Sequence, residues 1–456
     1  MRRFGLGLAV AGALFTAAWS GCAVAQTAAP PMGWNSWDAY GTTITEDTFK
    51  ANAEVVHGLQ SYGWSYVTVD WGWFMRNPSG NNAENRQYLI DGNGLLMPDP
   101  TRFPSAADGR GFRTLGDWIH SRGLKFGIHI IRGIPKSVVR DNLPIAGSDF
   151  HATDAADTTD TCPWDDANYG VQDNAAGQAY YDSEMRLLAS WGVDFVKVDC
   201  ISDHPYKGAE IRMVSQAIRN SGRNMVLSLS PGPTGLIHAE EVTHAADMWR
   251  IADDFWDGWN FPLAHPTDTF PMGVRGMLDL LAQWNMYMGE GRWPDADMLP
   301  IGSLHPHPGW GDPRASRLTP VEVRTMFTMW AMARSPLILG ANLTELDADT
   351  RAVITQREVI ALNQRNGRSQ PIANVPATLA NARVWTSTPR GARQPDTVAI
   401  VNVSDTTLDV TVPWSGLGMG PNTHRAREIW TGERFARSPV LPINIPPHGV
   451  MLLRVN

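Results

Sequence analysis

The chain has 456 residues, a formal net charge of −8 and 43% hydrophobic residues. This composition is typical of a soluble globular protein and excludes the class of chains that are too polar to bury a core. The mild acidity and the lack of a basic run argue against a nucleic-acid partner.

The N-terminus predicts a secretory signal peptide at 1–25. Arg2 and Arg3 precede a short apolar run, and the sequence AVA at 23–25 is a small-residue cleavage site. A membrane anchor is the alternative, but the run is short for a span. We expect cleavage after residue 25, export to the periplasm or the medium, and no membrane association afterwards.

Export bears on the three cysteines. Cleavage removes Cys22 and leaves Cys162 and Cys200 as a pair in an oxidising compartment, where they can form a disulfide. No spaced set of cysteines and histidines indicates zinc, and prolines interrupt the HPHP run at 305–308, which is typical of a loop. We therefore expect no metal and no cofactor.

Short apolar runs alternate with helix-like segments such as 179–192 and 320–335. This alternation predicts βα units around a parallel sheet. Six runs are clear, and MGWNSW (32–37) and GRWPDADML (291–299) are weaker candidates that bring the count to eight. The clear runs are SYVTVDW near 66–71, LKFGIHII near 124–131, VDFVKVD near 193–199, NMVLSLS near 224–230, MWRIADD near 248–254 and SPLILG near 335–340. The predicted fold class is α/β, a (β/α)8 TIM barrel over 26–368.

From about residue 370 the pattern changes. Short alternating runs are separated by Pro, Gly and Asn, and no helical segment lies between them. This pattern predicts a C-terminal antiparallel β-sandwich domain over 369–456.

The run FVKVDC at 195–200 places polar side chains in a strand. Phe195, Lys197 and Asp199 share one face because side chains alternate along a strand. A buried lysine is costly unless it is paired, but the carboxyl end of a barrel strand opens on the active site. The pattern favours a functional site, and a structural Lys–Asp ion pair is the alternative.

Two further strands are predicted to end in carboxylates. Asp70 closes the second strand, and Asp254 shares a face with Arg250 if the sixth strand continues that far. Two carboxylates about 5–5.5 Å apart can hydrolyse a glycosidic bond with retention. Each aspartate alone could instead be a helix N-cap.

At these residues the chain resembles glycoside hydrolase family 27, the clan D α-galactosidases and α-N-acetylgalactosaminidases. The similarity extends over almost the whole chain after the signal peptide. The motifs that carry it are PPMGWNSWDAYG (30–41), VDFVKVDC (193–200), WRIADDFWDGW (249–259), WPDADML (293–299) and WAMARSPLILGANL (330–343).

The resemblance implies catalytic roles. Asp199 corresponds to the nucleophile, and Asp254 corresponds to the acid/base, with adjacent Asp253 as the rival. Asp297 is expected to support the site from behind, and Asp257 is expected either to do the same or to cap a helix.

The resemblance also implies sugar contacts. Trp37, Asp70, Lys197 and Arg250 match positions that contact sugar hydroxyls. The loop residues Trp164 and Asp165 either fold over the mouth of the site or belong to an ordinary surface loop.

Three positions depart from the family pattern. Trp71 stands where many members have a second aspartate that helps to read the 4- and 6-hydroxyls. His129 replaces a tyrosine and is either a substrate contact or a core histidine. Ser230 replaces the glutamate with which galactosidases read the 2-hydroxyl, and a small serine there resembles the N-acetylgalactosaminidases.

The predicted function is a secreted retaining hydrolase of terminal α-D-galactosyl residues, acting on oligosaccharides or polysaccharides. The alternatives on the same machinery are α-N-acetylgalactosaminidase, β-L-arabinopyranosidase and isomaltose-releasing α-glucan hydrolase. A non-catalytic glycan-binding protein is the alternative from another class, and the presence of both Asp199 and Asp254 argues against it. Linkage and oligomeric state cannot be read from the sequence.

Overall fold

The computed structural model describes residues 27–77, 86–262, 270–304, 312–365 and 367–456. The predicted signal peptide and the HPHP run therefore lie outside the described residues. Within the described part of the chain, no helix is both long enough and apolar enough to cross a membrane.

Eight parallel strands form one sheet, as predicted. Their order around the sheet is β7-β6-β5-β4-β3-β2-β1-β8, numbered along the chain. The strands are β1 (Met32–Asn35), β2 (Tyr66–Val69), β3 (Lys125–Ile131), β4 (Phe195–Asp199), β5 (Val226–Leu229), β6 (Met248–Arg250), β7 (Trp293–Asp295) and β8 (Leu337–Leu339).

Backbone hydrogen bonds close this sheet into a barrel. Leu299, just beyond β7, donates its N–H to Ile338 in β8 at 2.7 Å and accepts from the N–H of Gly340 at 3.1 Å. The predicted (β/α)8 barrel is confirmed, and its two weaker strand candidates are β1 and β7.

A helix follows each strand and covers the outside of the barrel. These helices are Glu46–Gly58, Arg113–Ser121, Ala175–Ser190, Gly208–Asn220, Ala239–Ala245, Val274–Trp284, Pro320–Ala333 and Arg357–Gln364. The described residues contain further short α-helices at Trp37–Tyr40, Lys136–Arg140, Ala152–Ala155 and Ala348–Ile354.

The helix Pro320–Ala333 illustrates how the sequence fixes its ends. Thr319 accepts from the N–H of Glu322, whose side chain bonds back to the Thr319 N–H, and proline occupies the first helical position. The helix ends at Arg334, which has a φ of 55° and so leaves the helical region. The prediction of a helix over 320–335 was therefore two residues too long.

Strand β6 is shorter than predicted. It ends at Arg250, so Asp254 lies four residues beyond it in a loop and does not share a strand face with Arg250. The carbonyl of Arg250 accepts from Thr234, and the carbonyl of Asp254 accepts from Met272, so the backbone beyond the strand bonds to loops and leaves the sheet.

The C-terminal domain consists of antiparallel strands. Six of them form one sheet in the order β9-β10-β11-β16-β13-β14, and β12 pairs with β15. The strands are β9 (Gly367–Pro371), β10 (Ala382–Pro389), β11 (Thr397–Asn402), β12 (Leu408–Pro413), β13 (His424–Glu428), β14 (Arg434–Ser438), β15 (Val440–Ile445) and β16 (Val450–Val455). The predicted β-sandwich is confirmed.

The sandwich packs on the barrel through shared apolar core. Trp385 and Leu452 of the sandwich belong to the same buried cluster as the barrel core. His448 stacks on Trp259 of the β6 loop, with ring centres 4.1 Å apart, and its Nδ1 is 2.7 Å from Glu322. The sandwich therefore contacts the loop that carries Asp254.

Candidate active site

The carboxyl ends of the barrel strands surround a cavity of about 530 Å³. This is where barrel enzymes place their catalytic residues. The predicted site residues that line it are Trp37, Asp70, Trp71, His129, Trp164, Asp165, Lys197, Asp199, Asp253 and Asp254. The structure thus brings together the three carboxylates that were predicted to converge.

Lys197 and Asp70 form an ion pair across the barrel interior. Lys197 Nζ lies 3.1 Å from Asp70 Oδ2, and Asn35 donates to the same oxygen at 2.7 Å. Burial would raise the pKa of Asp70, but the nearby His129 and Lys197 lower it to about 2. Asp70 therefore stays ionised and able to accept hydrogen bonds from a ligand.

Asp199 is the last residue of β4, and its side chain is 17% exposed. Its Oδ2 accepts from His129 Nε2 at 3.1 Å and from Ser230 Oγ at 3.4 Å. Burial would raise the pKa of Asp199, but the hydrogen bond from His129 and the charge of Lys197 hold it below its usual range. The carboxylate is thus ionised at neutral pH.

The backbone turns sharply after Asp199. Cys200 has a φ of 60°, a conformation rare for residues other than glycine. A disulfide joins Cys200 to Cys162, and Arg132 Nε donates to the Cys200 carbonyl at 2.6 Å. The disulfide that the sequence allowed therefore anchors the turn that presents Asp199.

Asp254 has the opposite electrostatic environment. Burial raises its pKa, the charges of Asp297 and Asp199 raise it further, and Arg250 opposes them, giving a pKa of about 6. Its side chain is 37% exposed and faces the cavity. A carboxyl group of this kind can hold a proton while Asp199 is ionised.

Arg250 lies behind the cavity wall. Its side chain is 2% exposed, and its Nη2 is 2.8 Å from Asp297 and 3.3 Å from Asp254. Asp297 also accepts from the N–H groups of Phe255 and Met298, both at 2.8 Å. Arg250, predicted as a sugar contact, instead links the two aspartates, and Asp297 supports the site as predicted.

Ser230 also does not line the cavity. Its side chain is buried and turned toward Asp199, so the structure does not place it as the sugar contact that the sequence predicted. Asp257, whose role was left open, accepts from Arg314 Nη2 at 2.9 Å and from the N–H of Arg317 at 2.7 Å. Asp257 therefore links the loop after β6 to the segment 314–317. It does not cap a helix, because the next helix begins at Val274 and has Gly273 as its N-cap.

One group of side chains beside the cavity has the donor types of a cation site. Ligand atoms of Asp203, His204 and Asp253 lie within 4.8 Å of one another. His204 Nδ1 is 2.6 Å from Asp203. Acidic groups commonly cluster in this way without an ion. His204 and Asp253 of this group line the cavity.

Trp71 belongs to an apolar wall that sequence reasoning missed. It packs against Ile131 and the disulfide, and the guanidinium of Arg86 lies 4.6 Å from its ring centre. Arg86 is in turn paired with Asp165 at 2.5 Å. Neither residue is predicted as a site residue, because Ile131 reads as one more apolar residue of the third strand and Arg86 lies outside the motifs.

Two exposed aromatic side chains stand at the mouth. Trp164 is 42% exposed and Phe270 is 45% exposed, and both line the cavity. Of the two positions that the sequence allows for Trp164, the structure shows the one at the mouth. Phe270 was missed, since a lone aromatic residue in a loop carries no positional signal.

Comparison with known proteins gives a consistent result. The model of the α-galactosidase A family matches residues 29–138 and 166–365, and that of the α-galactosidase C-terminal β-sandwich domain matches 380–455. The α-galactosidase A of Cellvibrio japonicus is 28% identical over 443 residues, which cover 94% of this chain and 92% of that protein. The α-galactosidase of Oryza sativa subsp. japonica is 26% identical over 432 residues, covering 92% and 82%.

Solved structures extend the comparison. A family 27 β-L-arabinopyranosidase from Geobacillus stearothermophilus is 40% identical, with a TM-score of 0.86 and coverage of 94% of this chain and 96% of that one. A candidate α-N-acetylgalactosaminidase from Bacillus halodurans C-125 is 35% identical, with a TM-score of 0.80 and coverage of 94% and 97%.

Proposed function

Because the chain belongs to the α-galactosidase family, glycoside hydrolase family 27, and is a glycosidase, we propose that it removes terminal sugars of galactose configuration with retention. Asp199 is the nucleophile and Asp254 is the acid/base in this proposal. One observation carries it. Two carboxyl groups line the same cavity, and the pKa of Asp199 is lowered while that of Asp254 is raised to about 6.

The reaction follows from these protonation states. Asp254 donates its proton to the glycosidic oxygen while a carboxylate oxygen of Asp199 bonds to the anomeric carbon and the glycosidic bond breaks. Water then attacks the same carbon, Asp254 takes a proton from it, and the bond to Asp199 breaks. Asp199 regains its charge and the anomeric configuration is retained.

Two sugars share the required ring stereochemistry. The curated relatives named above are α-galactosidases, so α-D-galactosides are the first candidate substrates. β-L-arabinopyranose matches α-D-galactopyranose except that it lacks the hydroxymethyl group, and the Geobacillus enzyme is named for it. A pyranose bound through Asp70 and Lys197 suits both.

The apolar wall favours the smaller sugar. Trp71 takes the place of the aspartate that helps family members to read the 6-hydroxyl, and it packs against Ile131. A hydroxymethyl group there would lose its polar partner and meet an indole ring. Ser230 is turned to Asp199, so it gives no specific argument for an N-acetyl substrate.

We further propose that the protein is exported. The basic start, apolar run and cleavage site at 1–25 support this. A disulfide between Cys162 and Cys200 is the type of bond that persists in an oxidising compartment.

The decisive experiment is hydrolysis of a panel of 4-nitrophenyl glycosides by wild type and by Asp199→Asn. The panel contains the α-D-galactoside, β-L-arabinopyranoside, α-N-acetylgalactosaminide and α-D-glucoside, and NMR follows the anomer first released. We expect retention, a higher kcat/KM for the arabinopyranoside, and loss of activity in the variant.

Specificity is tested with Trp71→Asp, with Trp71→Phe as the matched control. We expect Trp71→Asp to shift the kcat/KM ratio toward the galactoside by roughly tenfold or more, and Trp71→Phe to keep the wild-type preference. Wild type that cleaves none of the four glycosides would overturn simple removal of a terminal monosaccharide and favour an oligosaccharide substrate, such as that of an isomaltose-releasing α-glucan hydrolase, or a glycan-binding protein.

A further inference from the structure

Two of the positions that depart from the family pattern converge on one atom. His129 Nε2 and Ser230 Oγ lie 3.1 Å and 3.4 Å from Oδ2 of Asp199. Oδ1 of the same carboxylate is buried and has no hydrogen-bond partner among the described residues. The two oxygens of the nucleophile therefore have different environments.

The orientation of His129 follows from strand pairing. His129 in β3 is in register with Lys197 in β4, so its ring lies on the interior face beside Asp199. The residue is 3% exposed, and its backbone carbonyl accepts from Trp73 Nε1 at 2.9 Å. The ring is therefore buried, and its Nε2 is directed at Asp199.

The carboxylate fixes which ring nitrogen carries hydrogen. Oδ2 of ionised Asp199 can only accept, so Nε2 of His129 must donate. Nδ1 is buried with no partner among the described residues. The charged groups nearest to the ring are Asp199, Asp70, whose Oδ1 is 3.9 Å from Nε2, and Lys197, which neighbours both carboxylates.

We propose that His129, aided by Ser230, is a positioning residue that holds the carboxylate of Asp199 in place through hydrogen bonds to its Oδ2. This inference rests on the retaining mechanism proposed above. One carboxylate oxygen of Asp199 forms the bond to the anomeric carbon in the first step, and the other becomes the carbonyl oxygen of the covalent ester.

The same hydrogen bond acts most strongly in the second step. When water displaces the sugar, the bond between Asp199 and the anomeric carbon breaks and its electron pair returns to the carboxylate, which places negative charge on Oδ2. A donor already aimed at Oδ2 stabilises this developing charge more than it stabilises the neutral ester. His129 keeps its own proton, since Asp254 takes the proton of the water.

The experiment measures how each variant changes the rate at which the covalent glycosyl-enzyme forms and the rate at which water hydrolyses it. Wild type, His129→Phe, His129→Tyr and Ser230→Ala are mixed with a 2,4-dinitrophenyl glycoside of the sugar that wild type hydrolyses. Rapid quenching and intact mass spectrometry give the fraction of covalent enzyme, and peptide mapping locates the adduct. His120→Phe is the matched control, because His120 Nε2 also bonds an aspartate, Asp194, at 2.8 Å, but near the opposite end of β4.

We expect His129→Phe to lower kcat by roughly 10- to 100-fold, to lower kcat/KM much less, and to raise the covalent fraction at steady state. Tyrosine restores a donor, so His129→Tyr should lie near wild type. Ser230→Ala should change in the same direction as His129→Phe but by less, and His120→Phe should match wild type.

The experiment distinguishes failure of the proposed retaining function from failure of the proposed role of His129. Inversion of configuration, or an adduct on a residue other than Asp199, would overturn the retaining function itself. An adduct on Asp199 together with equal losses of kcat and kcat/KM in His129→Phe, and no accumulation of intermediate, would overturn the role of His129. If His129→Phe does not fold by circular dichroism, Ser230→Ala decides: accumulation supports the inference and a wild-type covalent fraction contradicts it.

Discussion

Arg250 lies closer to Asp297 than to Asp254: the same Nη2 atom is 2.8 Å from one carboxylate and 3.3 Å from the other. The acid/base therefore shares its cation with a second aspartate that holds it more tightly. Asp297 also contributes negative charge that raises the pKa of Asp254.

Asp297→Asn should move the alkaline limb of the pH profile to lower pH. The substitution removes a negative charge near Asp254 and frees Arg250 to pair with it, so the pKa of Asp254 falls below about 6. Since the general acid must be protonated, activity is lost as pH rises through this pKa. The measurement is kcat/KM against pH for the best aryl glycoside.

Glu184→Gln is the control for that experiment. Glu184 is another buried carboxyl, and burial raises its pKa to about 8, but it lies on the outer helix Ala175–Ser190 and does not line the cavity. Its variant should keep the wild-type profile. An unshifted limb in Asp297→Asn would show that Asp297 does not control the acid/base.

Asp254→Asn should separate this residue from its neighbour Asp253. Loss of the acid/base should lower kcat/KM by roughly 10²- to 10⁴-fold for substrates with poor leaving groups, and much less for 2,4-dinitrophenyl glycosides. Azide should restore turnover by forming a glycosyl azide with the configuration of the substrate. If instead Asp253→Asn behaves in this way and Asp254→Asn does not, the assignment is reversed.

The same substitution should stabilise the protein at neutral pH. A carboxyl whose pKa is raised on folding contributes stability below its unfolded pKa of about 3.9 and loses it as pH rises through about 6. Because the side chain is 37% exposed, the gain in Asp254→Asn at pH 7.5 should be at most about 1 kcal/mol. Thermal unfolding at pH 7.5 and pH 4 checks this, and an equal difference at both pH values would contradict it.

Replacing both disulfide cysteines with serine should destabilise the protein by about 2–4 kcal/mol, since Cys162 and Cys200 are 38 residues apart in sequence. It should also lower kcat, because Cys200 forms the turn that presents Asp199. Thermal unfolding and kcat are compared with those of wild type whose Cys162–Cys200 disulfide has been verified by mass spectrometry. Wild-type stability in the double variant would show that packing alone holds the turn.

Much of the barrel and part of its site follow from the sequence. The period of two in FVKVDC places Lys197 and Asp199 on one face, and the rule that parallel strands end at one edge places Asp70 beside them. The cavity contains all three. These predictions depend only on local pattern and on fold geometry, which the sequence specifies well.

The remaining differences depend on tertiary detail. Whether a side chain at a strand end faces the ligand or a neighbouring strand depends on barrel register. The family resemblance predicts sugar contacts for Arg250 and Ser230, but both side chains bond aspartates instead. Asp254 lies in a loop because the strand ends early, and its role came from the family resemblance. Phe270 and Arg86 lie in loops, and hydrophobic periodicity does not predict the conformation of a loop.

The stacking of His448 on Trp259 has a consequence for the modularity of the protein. The sandwich is not an independent module joined to the catalytic domain only by the chain. It packs against the loop that carries Asp254 and helps to fix the conformation of that loop. In a chimera that exchanged C-terminal domains between relatives, this loop would therefore adopt a different conformation. The environment of the acid/base would then change with the C-terminal domain.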